Sequence, residues 1–141
     1  MSEESKLDME FYFPCPVYVE KKPEFLDAVR EVSIDKLKDV SGDQELSELY
    51  PVRMTQNMLD DERLADFKHY VGTTAWNILE GQGYDMSKFL MTFLELWTQE
   101  HHKFSLMDQH VHGFGSQIVG FYFIDVPEDA PRVVIHDPRA G

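Results

Sequence analysis

Two histidines separated by one residue, His110 and His112, are the side chains whose type and spacing point most directly to chemistry. On an extended strand, residues two apart face the same side and lie roughly 6–7 Å apart. Imidazole is a good ligand for iron, zinc, copper and nickel. The spacing therefore predicts that both rings can reach one metal ion. The simpler interpretation is a surface or hydrogen-bonded pair, and two further ligands would be needed to complete a metal site.

Asp108 precedes this pair and makes the motif Asp-x-His-x-His. On a strand, Asp108 and His112 would be about 13 Å apart, too far to share an ion whose ligand bonds are each about 2.1 Å. Either Asp108 with His110 or His110 with His112 therefore binds a metal, and the third group supports the pair. The other histidines are interpreted as turn, boundary or strand-end residues: His69, His101, His102 and His136.

The composition indicates one globular domain with an acidic surface. The chain has 141 residues, of which 43% are apolar and 13% aromatic, so it can bury a core. Its net charge of −13 repels phosphate backbones and anionic membranes, which argues against nucleic acid and membranes as partners.

The cysteine count and the N-terminus bear on the cellular compartment. Cys15 is the only cysteine, so no intrachain disulfide or cysteine zinc cluster can form, and we interpret it as a structural thiol. The N-terminal residues lack the basic and apolar regions of a signal peptide. The longest apolar runs fall short of the ~20 residues that a membrane helix needs. We therefore expect a cytoplasmic protein.

The apolar pattern predicts two helices. Pro23 can open the first helix, and an apolar stripe continues to about residue 40. Asp60 is the predicted N-cap of a second helix from about Asp61 to Glu80, which Gly81-Gln82-Gly83 closes. The predicted stripes consist of Leu26, Val29, Ile34, Leu37 and Val40 in the first helix and of Leu64, Phe67, Val71, Ala75 and Ile78 in the second.

From residue 88 the pattern changes to the two-residue period of β-strands. Residues 88–99 are largely apolar on both faces, which predicts a central strand covered on both sides. Helices followed by strands predict an α+β domain, with two helices packed on an antiparallel sheet. That single domain is expected to span residues 9–141, after a polar lead at residues 1–8. The further predicted strands are an edge strand at 9–20 and strands at 107–112, 116–126 and 132–136.

The run from His110 to Val126, followed by Asp137-Pro138-Arg139, resembles 2-oxoglutarate/Fe(II)-dependent oxygenases related to prolyl-4-hydroxylases. It is most similar to a branch found in marine bacteria and T4-like cyanophages, which pairs a His-x-His with a strand of the type Ser-x-x-x-Gly-x-Tyr-Tyr and an Asp-Pro-Arg. The segment from Phe13 to Tyr18 is similar to the N-terminal strand of that branch, and Trp97 to the strand before its histidines.

The resemblance implies a double-stranded β-helix, or jelly-roll, that uses Fe(II) and 2-oxoglutarate to hydroxylate a C–H bond with O₂. In that family a first His, a carboxylate two residues on and a distal His hold the iron, and a basic residue near the distal His pairs with 2-oxoglutarate. By position, His110 would be the first ligand and His112 would take the place of the carboxylate. If a phage encodes the chain, the host cytoplasm is the expected location.

The chain departs from this pattern in two respects. His112 is not a carboxylate, and the strands that should carry the distal His and the basic residue have no counterpart before Gly141. Arg139 belongs to Asp-Pro-Arg and cannot simply take the basic role. We therefore expect the N-terminal portion of an oxygenase domain, a partial double-stranded β-helix that is truncated or split. Its open sheet edge would be completed by a companion chain or by a homo-oligomer.

Two alternatives stay open. A non-enzymatic structural or interaction protein of phage type could reuse the oxygenase fold, because ligands are missing and a sheet edge is open. A cupin-type metalloprotein also has a His-x-His, but Gln117 stands where its Glu is expected. The residues alone assign no catalytic group beyond the two candidate metal ligands.

Overall fold

The computed structural model describes residues 14–40, 52–113 and 115–137 of the chain. The chain divides into a central unit, Lys22–Val126, and a terminal unit made of Met1–Lys21 and Pro127–Gly141. The helices and strands of the described residues all lie in the central unit, in the order α1 (Leu26–Val40), β1 (Val52–Met54), α2 (Ala65–Gly81) and β2 (Gln99–His101). This arrangement confirms the prediction of an α+β fold with two helices and an antiparallel sheet.

The first helix begins where the sequence predicts. A 3-10 turn at Pro23–Phe25 leads into α1, and its proline occupies a first-turn position where no N–H is needed. The buried face differs from the predicted stripe, because Ile34 is 47% exposed while Val32 is fully buried. Ser33 is also buried and its hydroxyl lies 2.7 Å from that of Thr98, so a polar residue is satisfied inside the core. The predicted helix end at residues 41–43 lies outside the described residues.

The second helix is capped one residue later than predicted. The Asp61 side chain accepts a hydrogen bond from the Arg63 backbone N–H at 3.0 Å, so Asp61 rather than Asp60 is the N-cap of the 3-10 turn that leads into α2. Leu64 and Phe67 are buried, as the predicted stripe requires. The predicted glycine stop is confirmed, since α2 ends at Gly81 and Gly83 takes a φ of +95° that favours glycine.

The sheet of the described residues is small. β1 and β2 pair antiparallel with Arg53 opposite Glu100, and the pairing continues as a hydrogen bond of 3.0 Å from the Thr55 N–H to the Thr98 carbonyl. The central strand predicted over 88–99 is therefore wrong for all but its last residue. Leu90, for example, is 90% exposed. The two-residue period carries no information about which backbone would pair with this segment.

The core lies between the two helices and the segments beside the sheet. Its buried members are Val29, Val32, Met58, Leu64 and Phe67, and Phe25, Val71, Leu96, Tyr122 and Ile124 pack against them. The sequence also indicates that the aromatic residues Trp76, Trp97, Tyr122 and Phe123 belong to the core, and this is correct in part. Trp76, Trp97 and Tyr122 are half-buried, whereas Phe123 is 62% exposed.

The segment that follows β2 forms no ladder among the described residues, although strands were predicted at 107–112 and 116–126. Its side chains still alternate as in a strand. Tyr122 and Ile124 face the core, while Phe121 and Phe123 are exposed and their rings stack 6.5 Å apart. Because many of its apolar side chains are exposed, residues 104–113 and 115–126 are called the apolar ribbon below.

The described residues of the terminal unit are 14–21 and 127–137. They form no ladder, so the strand predicted at 132–136 and the described part of the edge strand predicted at 9–20 are wrong. Within this unit the Ala130 N–H donates to the Pro127 carbonyl at 3.0 Å, which forms a turn between the segments predicted as strands at 116–126 and 132–136. Across the described parts of both units, no helix is long and apolar enough to cross a membrane.

Candidate functional site

The two predicted metal ligands lie side by side on the apolar ribbon. The ring centroids of His110 and His112 are 5.3 Å apart and the ring planes make an angle of 60°. Both histidines are exposed, and Val111 between them is 88% exposed. The ribbon thus presents the two rings to the surroundings rather than to the core, and the structure brings together the pair that the sequence singled out.

One ring of the pair is held by its own backbone. His110 Nδ1 lies 2.8 Å from the backbone carbonyl oxygen of Asp108. Because a carbonyl can only accept, Nδ1 must be the nitrogen that carries the hydrogen and donates it. In the neutral ring this leaves the lone pair on Nε2, which is the usual arrangement of a metal-binding histidine whose other nitrogen is hydrogen-bonded. The contact therefore leaves Nε2 as the nitrogen of His110 that is able to bind a metal.

The spacing of the two rings fits joint coordination of one ion. A metal bonded at about 2.1 Å to a ring nitrogen lies roughly 3.3 Å from the ring centre. Two imidazoles bound at angles between octahedral and tetrahedral values then have centroids about 4.6 to 5.4 Å apart. The observed 5.3 Å lies inside that interval. This spacing favours the pair His110 and His112 over Asp108 with His110, and the contact seen between Asp108 and His110 uses the backbone oxygen of Asp108 rather than its carboxylate.

The described residues do not complete a metal site. Among them, no group of three or more His, Cys, Asp or Glu side chains is placed to hold one ion. Arg139, with the Pro138 that precedes it, lies outside the described residues, and Gln117 is an exposed residue of the ribbon. The described chain therefore offers two imidazole ligands and needs donors from elsewhere.

Two anchors fix the far end of the ribbon, one on α1 and one on the residues just before it. The guanidinium of Arg30 donates to both carboxylate oxygens of Asp125, at 2.7 and 3.2 Å, and this pairing holds the pKa of Asp125 below its ordinary value. The Tyr122 hydroxyl donates to the Lys22 carbonyl at 2.6 Å, and burial raises the pKa of that phenol. The ribbon is therefore attached to the core at Tyr122–Asp125, while the segment with the histidines stands clear of it.

The other histidines lie apart from this pair in their contacts. His101 belongs to β2, so the turn in which it was predicted to lie begins only after it. Its ring nitrogens lie 3.0 Å from the Ser105 hydroxyl and 3.3 Å from Gln99 Oε1. His102 Nε2 lies 3.5 Å from a carboxylate oxygen of Glu100. His136 and Cys15 are exposed in the terminal unit.

An open groove of about 440 Å³ on α2 was not predicted from the sequence. Gly72 forms its floor, with the Phe93 ring above it, and the exposed ring of His69 stands at its wall. The signal was a glycine in the middle of a helix, which costs helix stability and so hints at close packing. The groove is lined by Lys68, His69, Gly72, Thr73, Trp76, Met91 and Phe93.

Comparison of the chain with models of protein families, with curated proteins and with solved structures gives no match. The feature that unites the sequence pattern and the structure is the imidazole pair of His110 and His112, in which a backbone carbonyl holds the His110 ring.

Proposed function

We propose that this chain is the metal-binding portion of a 2-oxoglutarate/Fe(II)-dependent oxygenase, with His110 and His112 as two of the metal ligands. The observation that carries the proposal is the hydrogen bond from His110 Nδ1 to the Asp108 carbonyl, which leaves Nε2 to bind a metal. The ring separation of 5.3 Å supports a shared ion. The double-stranded β-helix and a cytoplasmic or host-cytoplasmic location belong to the same proposal.

The residues present fit iron as a partial ligand set. When bound together with 2-oxoglutarate, Fe(II) would supply the oxidising chemistry that hydroxylates a C–H bond with O₂. The chain's own contribution is to hold His110 in the tautomer that leaves Nε2 for the metal, with His112 beside it, on a ribbon that Arg30 and Tyr122 attach to the core. With a net charge of −13, the expected substrate is a small molecule or a protein rather than a nucleic acid.

The test is anaerobic loading with Fe(II), followed by measurement of bound iron and of succinate formed from 2-oxoglutarate. We expect bound iron in the wild-type chain and a loss of about 100-fold or more in iron affinity in His110→Ala. The matched control is His101→Ala, which removes an exposed histidine of the same unit outside the pair. Equal iron binding by the two variants, or no iron bound by the wild-type chain, would contradict the proposal.

A second candidate function, a non-enzymatic interaction protein, is favoured by the exposed apolar ribbon. Phe104 is 90% exposed and Phe121 is 64% exposed, which is more apolar surface than a monomeric protein usually leaves in contact with water. This candidate predicts a stable complex with a protein partner that is unchanged in His110→Ala and that forms without iron. Iron-dependent succinate formation would exclude it as the sole function.

A further inference from the structure

Around the histidine pair, the described residues leave backbone N–H and carbonyl groups unpaired. Among the described residues, no backbone N–H or carbonyl of 106–112 takes part in a hydrogen bond with another backbone group. The Asp108 carbonyl instead accepts a hydrogen bond from the side chain of His110. An open row of N–H and carbonyl groups is a template for strand pairing. The segment therefore has the means to add a strand from another chain.

The sequence His110-Val111-His112 reads the same in both directions. If a second copy pairs antiparallel with Val111 opposite Val111, His110 of each copy lies opposite His112 of the other. Opposed residues in such a pair have Cβ atoms about 4.5–5.5 Å apart, and both histidines of each strand face the same side. Four imidazoles then surround one point on the two-fold axis.

We infer that two copies of this chain pair antiparallel at residues 109–113 and that His110 and His112 of both copies bind one transition-metal ion. The inference shares His110 and His112 with the proposed function but assigns them to a structural ion, because four imidazole ligands leave too few open positions for both 2-oxoglutarate and O₂. It does not depend on the oxidative reaction. It supplies from the second copy the ligands that the described residues of one copy lack. A site of four imidazoles suits Zn²⁺, Cu²⁺ or Ni²⁺, and in its tetrahedral form Zn²⁺ in particular.

The apolar ribbon provides the area that a stable dimer needs. The side chains of Phe104, Phe121 and Phe123 are 90, 64 and 62% exposed. Together with the exposed aliphatic side chains of the ribbon, they leave on the order of 900 Å² of surface to bury, against the about 800 Å² that each partner contributes to a standard interface. The remaining exposed side chains are Leu106, Met107, Val111, Ile118, Val119 and Val126.

The charge distribution also allows a second copy to approach at the ribbon. Although the net charge of the chain is −13, residues 104–126 contain only two charged side chains, Asp108 and Asp125. Asp125 is already paired with Arg30. Like-charge repulsion between the copies is therefore weakest at the face proposed for pairing, and a bound cation at the axis would reduce it further.

The first test is a titration of the purified chain with Zn²⁺, followed by molar mass and bound metal. We expect a change from the 16.5 kDa of one chain to twice that mass, with one zinc per two chains. His110→Ala and His112→Ala should each abolish the zinc-dependent change, and the control variant His102→Ala should keep it. One zinc per monomer would overturn the inference while leaving the proposed metal ligands intact, and no zinc or iron binding would remove both.

The second test locates the two-fold axis without metal chemistry. Cys15 is exposed, so the experiment uses a Cys15→Ser background in which the introduced cysteine is the only one. Val111→Cys lies on the proposed axis and should form a disulfide-linked dimer on mild oxidation with diamide. Leu90→Cys, which is equally exposed at 90%, should not. Equal cross-linking at both positions, or none at Val111, would overturn the inference.

Discussion

At the scale of single residues, Arg63 joins the beginning of the second helix to the first helix. Its guanidinium donates to both carboxylate oxygens of Asp61, at 2.9 and 3.1 Å, and to Asp35 at 2.7 Å. Asp61 also caps the turn that leads into α2. The hydrogen bonds that Asp61 accepts from the Arg63 side chain, and to a smaller extent the one from the Arg63 backbone N–H, lower the pKa of Asp61 to about 2. One arginine therefore ties a helix cap to a neighbouring helix.

The shift predicts a pH dependence of stability. Because the folded-state pKa of Asp61 is about 2 and the unfolded value is about 3.9, its stabilisation is complete above pH 4 and is lost as the pH falls toward 2. Asp61→Asn keeps a capping side chain but removes the charge. We expect the variant to have a lower urea midpoint than the wild type at pH 7, and the two midpoints to converge as the pH approaches 2. A difference that is constant across this range would contradict the assignment.

At the scale of elements, Gly72 is the weak point of α2. A Cβ at this position would lie 3.5 Å from the Phe93 ring and 3.9 Å from the Met91 methyl group, which are ordinary contact distances. Gly72→Ala should therefore raise the free energy of unfolding by about 0.5–1 kcal/mol through helix propensity. Gly83→Ala is the matched control and should lower it, because Gly83 has a φ of +95°. Urea unfolding of both variants tests the pair, and a loss of stability in Gly72→Ala would show that the groove cannot accept a methyl group.

The elements that the sequence predicted best are those that local interactions determine. The proline at the start of the first helix and the glycines after the second place both helices within a few residues of their observed bounds. The strands were predicted poorly because a ladder needs a partner that the local pattern does not reveal. β1, for instance, lies at Val52–Met54, where no strand was predicted, and its partner β2 lies mostly beyond the strand predicted over 88–99.

The candidate site shows the same division. The choice of His110 and His112 required only their side-chain type and spacing, both of which are local. The hydrogen bond from His110 Nδ1 to the Asp108 carbonyl was not predictable, because it depends on ring rotation and on the path of the backbone. The identity of further ligands was also out of reach, since ligands converge through tertiary or quaternary contacts that spacing does not encode.

At the scale of the whole molecule, net charge and apolar exposure oppose each other. A charge of −13 keeps copies apart, whereas the apolar ribbon favours their association. Salt acts on the two terms differently, because it screens exposed charges within about 10 Å at 0.1 M and leaves apolar burial largely unchanged. Association through the ribbon should therefore become stronger as the salt concentration rises.

This balance gives a prediction for the metal-free chain. Sedimentation velocity should show a dimerisation constant that tightens several-fold between about 0.01 and 0.3 M NaCl, since the Debye length falls from about 30 Å to below 10 Å over this range. The double variant Phe121→Ser, Phe123→Ser should remain monomeric throughout, because it removes two exposed rings without touching the core. Its control, Phe89→Ser, changes a phenylalanine that is 58% exposed outside the ribbon and should behave as the wild type. Association that weakens with salt would instead identify an interface built from ion pairs, for which the two charged side chains of the ribbon are too few.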